Sequence, residues 1–281
     1  MLIDTHAHLN FNAYKDDANE VIGRSLKNNF WMINVGSQYS TSKRAVEIAE
    51  KYPEGVYAAI GLHPIHSEEE FDYKKYRVLA NRLIGDPPRR RVVAIGEIGL
   101  DYKSEYVLFK ERQKKVFLKQ LDLAKELNLP AIFHCRMAHE DLIEILNTKY
   151  KIQDTASRGV IHCFTGTWDD ARKYLEMGFY LGFNGIIFKL YLDEVIEKTP
   201  LDKILVETDC PYLIPPLPAD SAFVAASAKE AVLTKAGPMT GRNEPLYVKY
   251  VAEKIAKIKK KSYEETSEIT TQNAKKLFNL I

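Results

Sequence analysis

Apolar residues fall into eight short runs, and most runs are followed by a longer stretch in which apolar positions recur every three or four residues. The runs are Leu2 to Thr5, Trp31 to Val35, Val56 to Leu62, Arg91 to Ile98, Ala131 to His134, Gly159 to His162, Phe179 to Phe183 and Lys203 to Thr208. Runs this short and this apolar predict strands buried on both faces, as in parallel sheets. The stretches between them predict helices at about Asp16 to Asn29, Thr41 to Lys51, Tyr73 to Leu83, Val107 to Leu127, Ala138 to Lys149, Trp168 to Met177 and Tyr191 to Lys198. Two more are expected at Leu246 to Ile258 and Ser262 to Leu280. Eight such units in 281 residues predict a closed (β/α)8 TIM barrel rather than an open sheet. The expected organisation is one α/β domain, residues 1–281, with the last two helices packed outside.

Composition narrows the picture modestly. Hydrophobic content of 46% suits a large core, and 40 basic against 38 acidic residues argue against global attraction to nucleic acid. Any anionic partner therefore needs a local site. Cys135, Cys163 and Cys210 are too few for a disulfide framework and are expected as buried, reduced thiols of an intracellular protein. The first residues lack the pattern of a signal peptide, and no apolar run reaches membrane-spanning length, so a cytoplasmic protein is expected, with a nuclear fate open.

Polar residues at the strand ends change the picture more. His6 and His8 are spaced i, i+2, so in an extended strand they leave the backbone on one side and can converge on one ion. His63, His134 and His162 end the third, fifth and sixth expected strands; Glu97 sits near the end of the fourth and Asp209 follows the eighth. Only His66 and His139 of the seven histidines lie elsewhere. In a barrel all these ends open on one face, where barrel enzymes keep their chemistry. Four histidines (His6, His8, His134, His162) and two carboxylates (Glu97, Asp209) suit zinc, manganese or similar ions. Six ligands exceed what one catalytic ion takes while keeping an open position. Two divalent ions (Mg, Mn or Zn) bridged by Glu97 are therefore expected. Together they outweigh the two carboxylates and a hydroxide, leaving a centre that favours an anionic substrate such as a phosphate ester.

The motifs Asp4-Thr5-His6-Ala7-His8, Gly61-Leu62-His63-Pro64, Gly96-Glu97-Ile98-Gly99-Leu100-Asp101, His134-Cys135-Arg136, His162-Cys163-Phe164-Thr165-Gly166, Glu207-Thr208-Asp209-Cys210-Pro211-Tyr212 and Arg242-Asn243-Glu244-Pro245 resemble the TatD-type metal-dependent deoxyribonucleases, nearly end to end. The resemblance implies a barrel and a divalent-metal site built from His6, His8, Glu97, His134, His162 and Asp209. It also implies hydrolysis of DNA phosphodiester bonds, typically from the 3′ end of single strands, in DNA repair or degradation; the enzyme is expected to be a monomer. By the same match His63 and Arg136 face the substrate phosphate. A mechanism follows in which Asp209 accepts a proton from the attacking water, His63 steadies a phosphoryl oxygen or the leaving group, and Arg136 offers a planar fork to the phosphate.

Two departures from the family pattern stand out. Met137 follows Arg136 where relatives often carry an acid, and the segment between Pro211 and Arg242 is long, with a Pro-rich start and an Ala-rich stretch from Ser221 to Leu233. That segment is expected either as a rim over the site or as a packed surface helix. Arg89, Arg90 and Arg91 are expected as a solvated turn at the opposite end of the barrel. Phe11, Tyr102, Phe164 and Tyr212 are candidates for stacking on bases, with packing the alternative for Phe164. Other readings of the chain are an ester or amide hydrolase, for example one deacylating D-aminoacyl-tRNA, and a binding protein with a dead site. Glu97 stands where dinuclear amidohydrolases frequently have a modified lysine, which favours phosphate chemistry.

Overall fold

The structure, a computed structural model, describes residues 1–84, 89–150, 158–216 and 241–280. Eight strands form one parallel sheet in chain order: β1 (Leu2–Ala7), β2 (Phe30–Val35), β3 (Val56–Ile60), β4 (Val92–Asp101), β5 (Ala131–Arg136), β6 (Gly159–Ile161), β7 (Tyr180–Phe183) and β8 (Ile204–Val206). The sheet curls until β1 meets the end of β8, where Ala7 bridges Cys210 in parallel. The Asp209 N–H donates to the His6 carbonyl at 2.8 Å and the His8 N–H to the Cys210 carbonyl at 2.9 Å. Buried Asp4 ties the same seam, accepting from the Thr208 N–H at 2.9 Å and the Thr208 hydroxyl at 2.6 Å.

Helices alternate with the strands: α1 (Ala18–Lys27), α2 (Tyr39–Ala49), α3 (Tyr73–Ala80), α4 (Lys110–Glu126), α5 (His139–Lys149), α6 (Trp168–Glu176) and α7 (Asp193–Lys198), then α8 (Val248–Lys259) and α9 (Tyr263–Phe278). Their starts follow from capping chemistry. Thr167 accepts from the Asp170 N–H at 3.2 Å while Asp170 accepts from the Thr167 N–H at 2.9 Å, a reciprocal box that fixes the first turn of α6. Ser262 does the same single-handedly for α9, accepting from the Glu265 N–H.

Strand alternation produces two apolar layers. Ile3, Ile33, Tyr57, Val93, Ile132, Val160 and Leu205 fill the barrel interior, and Leu277 and Phe278 from the end of α9 join them with Leu280 just beyond it. Neighbouring positions such as Leu2, Met32, Ala58 and Phe133 face the helices in a larger outer cluster. Because α9 packs its last turn against the early strand residues, it covers the N-terminal end and leaves the C-terminal end as the open mouth.

Several boundaries differ from those the sequence predicts. β4 runs three residues past Ile98 to Asp101, and its register against β5 slips between Gly96 and Ile98, so Glu97 is an extra residue in the ladder. The expected long fourth helix is divided into a 3-10 segment, Ser104–Phe109, and α4. A two-residue antiparallel ladder, Leu83–Ile84 with Arg89–Arg90, was not foreseen. Arg91 is not solvated: it is 9% exposed and donates to the Pro53 carbonyl at 2.7 Å, because the strand it leads into is buried on both sides. Cys135 and Cys210 are buried free thiols as expected, whereas Cys163 is only partly buried, since it lies beyond the strand end in the mouth. The Ser221 to Leu233 stretch lies outside the described residues. Among the described residues no helix is long and apolar enough to cross a membrane.

Candidate metal centre

All seven residues expected at the strand ends for metal or phosphate chemistry converge at the mouth, together with Arg136. His6 and His8 do lie on one side of β1, with their Nε2 atoms 3.2 Å apart. His6 Nε2 is 3.5 Å from Glu97 Oε2, and His8 Nε2 is 3.3 Å from Asp209 Oδ1. The His6 ring stacks on His162 with centroids 3.5 Å apart, and His162 Nε2 is 3.5 Å from Glu97 Oε1. The other Glu97 contacts run to His134 Nδ1 at 2.7 Å and His63 Nε2 at 3.4 Å. The ladder slip at Glu97 explains this centrality: a bulge turns a residue out of the strand's regular alternation and re-aims its side chain.

Backbone geometry at the mouth is strained in a consistent way. Met137, Cys163 and Asp209, each just past the end of a strand, have φ of 54°, 45° and 56°. Non-glycine residues in the left-handed region carry a cost that surrounding structure must offset, and such residues concentrate at functional sites.

Tautomers decide what each ring offers. His8 Nδ1 is 2.8 Å from the Val35 carbonyl, so Nδ1 carries the proton and Nε2 presents a lone pair to the cluster. His162 Nδ1 is 2.8 Å from Glu207 Oε1, a contact that leaves its Nε2 facing the cluster. His63 is the reverse: its Nδ1 accepts from the Ile65 N–H at 3.2 Å, leaving Nε2 as a donor toward Glu97. The inward lone pair of His8 meets an Asp209 oxygen 3.3 Å away, acceptor against acceptor in a buried space, and a cation resolves that arrangement. Mixed nitrogen and carboxylate donors of this kind fit zinc or manganese. Three groups have ligand atoms mutually within 4.8 Å: His6, His8 and Glu97; His6, His162 and Asp209; His63, Glu97 and His134.

Electrostatics are strongly coupled here. Burial alone would raise Glu97, but the His63, His162, His134 and His6 imidazoles crowded around it outweigh burial and hold it well below the usual carboxylate range. Burial likewise opposes ionisation of Asp209, and the His8, His162 and His6 imidazoles that face it bring it down. Burial pulls His63 down to about 4. Burial would lower His162, but the Glu207 and Glu97 carboxylates push it up to about 10, so a cation entering beside its Nε2 takes the place of a proton.

Two acids that the sequence did not single out complete the arrangement. Asp101 Oδ2 is 3.1 Å from His134 Nε2, so that ring is held between two carboxylates. Glu207 Oε1, besides facing His162, accepts from the Cys163 N–H at 2.7 Å and the Asn184 amide at 3.2 Å. A Cβ at Gly182 would come to 2.5 Å from Glu207 Oε2, so a larger residue there would force this carboxylate to shift from its place beside β7. The spacing of Glu207 and Asp209 repeats the i, i+2 of His6 and His8, a signal already present in the sequence. Asp101 gave no such signal, because it joins the mouth only through the extension of β4.

The cluster opens into a cavity of about 520 Å³, whose lining includes Arg136, Tyr212, Phe11 and Leu213. Arg136 is exposed and has no ion-pair partner among the described residues.

A parallel eight-stranded barrel with such a cluster at its C-terminal mouth defines a metal-dependent hydrolase. The chain belongs to the TatD related DNase family, whose sequence profile matches residues 3–279. It is 42% identical to the uncharacterized metal-dependent hydrolase YabD of Bacillus subtilis, over 100% of both chains. It is 30% identical to the 3′-5′ ssDNA/RNA exonuclease TatD of Salmonella typhimurium, again over 100% of both chains. The deoxyribonuclease Tat-D of Schizosaccharomyces pombe is 34% identical, across 93% of this chain and 87% of that protein. Among solved structures, the TatD homologue YjjV from Escherichia coli superposes with a TM-score of 0.82 at 27% identity, covering 100% of this chain and 98% of the other.

Proposed function

We propose that this protein removes nucleotides from the 3′ end of single-stranded DNA, using a pair of divalent ions held by His6, His8, Glu97, His134, His162 and Asp209. The observation that carries this reading is the two-sided placement of Glu97. Its Oε2 faces His6, whereas its Oε1 faces His134 and His162, as a carboxylate shared between two ions requires. Ions bound there supply Lewis-acid stabilisation of the phosphoryl oxygens and an acidified water as nucleophile.

The chain's own groups do the rest. Asp209, ionised and reachable from the cavity, takes the proton of the attacking water. His63 donates through Nε2 to a phosphoryl oxygen or to the leaving group, a role its tautomer favours over that of a ligand. Arg136 grips a neighbouring phosphate with its planar fork, being exposed and without a carboxylate partner among the described residues. No lysine lines the cavity among the described residues, which supports phosphate chemistry over that of the dinuclear amidohydrolases.

The test is digestion of end-labelled single-stranded DNA by chelated protein resupplied with Mg²⁺ or Mn²⁺, beside an aminoacyl ester. Ordered shortening from the 3′ end that requires metal supports the proposal. Cleavage of the ester alone refutes it.

A further inference from the structure

We propose that Tyr212 is the platform for the base of the terminal nucleotide, which makes the enzyme selective for an unpaired, base-bearing end. This rests on the exonuclease reading above and adds to it the group that reads the substrate.

Of the four aromatic residues that the sequence offers for stacking, the structure leaves Tyr212 for this task; Tyr106, which also lines the cavity, sits in the 3-10 segment after β4 and not on the turn that carries Asp209. Phe164 is 0% exposed and packs edge-on against Tyr174 and Phe183. The Tyr102 hydroxyl is tied to Asp141 at 2.7 Å, and its ring already carries the Lys110 ammonium. Phe11 is stacked on the His8 ring at 4.2 Å, so one of its faces is spent on orienting a histidine of the cluster. Tyr212 is 55% exposed, lines the same cavity as Asp209 and Arg136, and meets His8 only edge-on at 6.5 Å.

An exposed ring reads substrate well only if its backbone is rigid, and this one is. The Tyr212 N–H donates to the Asp209 carbonyl at 2.9 Å, closing a turn that carries the acid and the ring together. The side-chain amide of Asn243, 0% exposed, donates to the carbonyls of both Thr208 and Tyr212, clamping the turn at its two ends. Tyr14 donates its hydroxyl to the Asn243 carbonyl, and Arg242 lies over the Tyr14 ring at 4.0 Å while pairing with Asp17. The Arg242-Asn243-Glu244-Pro245 motif thus acquires a purpose: it anchors the turn to the loop after β1.

A base laid on Tyr212 is joined through one sugar to the phosphate that faces the cluster. Base–aromatic stacking tolerates any sequence, because every base has a π face. A base still paired in a duplex has to be unstacked and unpaired before it can enter such a pocket.

The experiment compares kcat/KM on two single-stranded oligonucleotides that differ only at the 3′-terminal residue, one bearing a base and one an abasic tetrahydrofuran. Wild-type protein, Tyr212→Ala and Tyr212→Trp are each assayed with Mn²⁺. The wild type should favour the base-bearing oligonucleotide by about 5- to 100-fold. That ratio should fall toward unity in Tyr212→Ala and persist in Tyr212→Trp. A wild-type ratio near unity, a ratio unchanged in Tyr212→Ala, or an equal loss on both oligonucleotides overturns the platform but leaves the exonuclease standing. Failure of the wild type to cleave either oligonucleotide removes the exonuclease reading, and the platform with it.

Discussion

Glu207 holds His162 by its Nδ1 at 2.8 Å and so turns the opposite ring nitrogen toward Glu97 and Asp209. A carboxylate behind a ligand histidine fixes both tautomer and orientation, and its loss typically costs about 10- to 100-fold in metal affinity or activity. Glu207→Ala should weaken Mn²⁺ binding by about that factor, measured by calorimetric titration. Glu207→Gln, which keeps an acceptor for the Cys163 and Asn184 donors, should be milder. Unchanged affinity in the alanine variant would detach Glu207 from the metal centre.

Arg136 should matter for the substrate and not for the ions. Hydrogen bonds to charged groups contribute about 1.5–3 kcal/mol, so Arg136→Ala should raise KM for oligonucleotides by about 10- to 100-fold. Metal affinity and thermal midpoint should stay near wild type, since the side chain is exposed and has no ion-pair partner among the described residues. Lysine should rescue only in part, because it lacks the planar fork. A KM that does not move in Arg136→Ala contradicts the assignment.

The proposed mechanism gives Asp209 two tasks, ligand and proton acceptor, and a neutral isostere separates them. Asp209→Asn retains a carbonyl oxygen for an ion but has no carboxylate to take a proton. Turnover should disappear while Mn²⁺ still binds in part, as followed by single-turnover kinetics beside the binding titration. Near-wild-type kcat in the variant removes Asp209 from the proton transfer.

Stability in acid should depend on Asp141, on the rim of the barrel. Burial would raise its carboxyl, but Lys110 at 2.7 Å, the Tyr102 hydroxyl and Lys114 at 3.0 Å outweigh it and bring it down to about 2. A carboxyl lowered on folding stabilises the native state above its unfolded value, near 4, and that contribution fades as pH falls toward 2. Allowing for screening at a partly exposed site, Asp141→Asn should cost about 1–2 kcal/mol at pH 7 and almost nothing near pH 2. Urea melts at the two pH values measure this directly, and an equal cost at both contradicts the ion-pair account.

What the sequence revealed and what it hid have physical reasons. The barrel was legible because eight buried strands leave an apolar signature, and the pincer of His6 and His8 was legible because strand side chains alternate with period two. Contacts set by register were not. Glu97 reaches histidines on both sides through a one-residue slip between β4 and β5, and that slip depends on the partner strand rather than on the local pattern. Asp101 enters the mouth only because β4 continues three residues beyond the predicted end. Arg91 resembles its neighbours in the Arg89-Arg90-Arg91 run, and its burial depends on the Pro53 carbonyl, which folding brings alongside from another segment. Glu207 was readable in principle from its spacing to Asp209, but the histidine it serves lies 45 residues earlier in the chain.

The central claim is that Glu97 is shared between two cations. Anomalous diffraction from crystals grown or soaked in Mn²⁺ tests it most directly. Two peaks about 3.5–4 Å apart, one beside His6, His8 and Asp209 and the other beside His134 and His162, with a Glu97 oxygen on each, is the predicted result. A single peak bound by Glu97 through one oxygen, or no peak at the mouth at all, contradicts it.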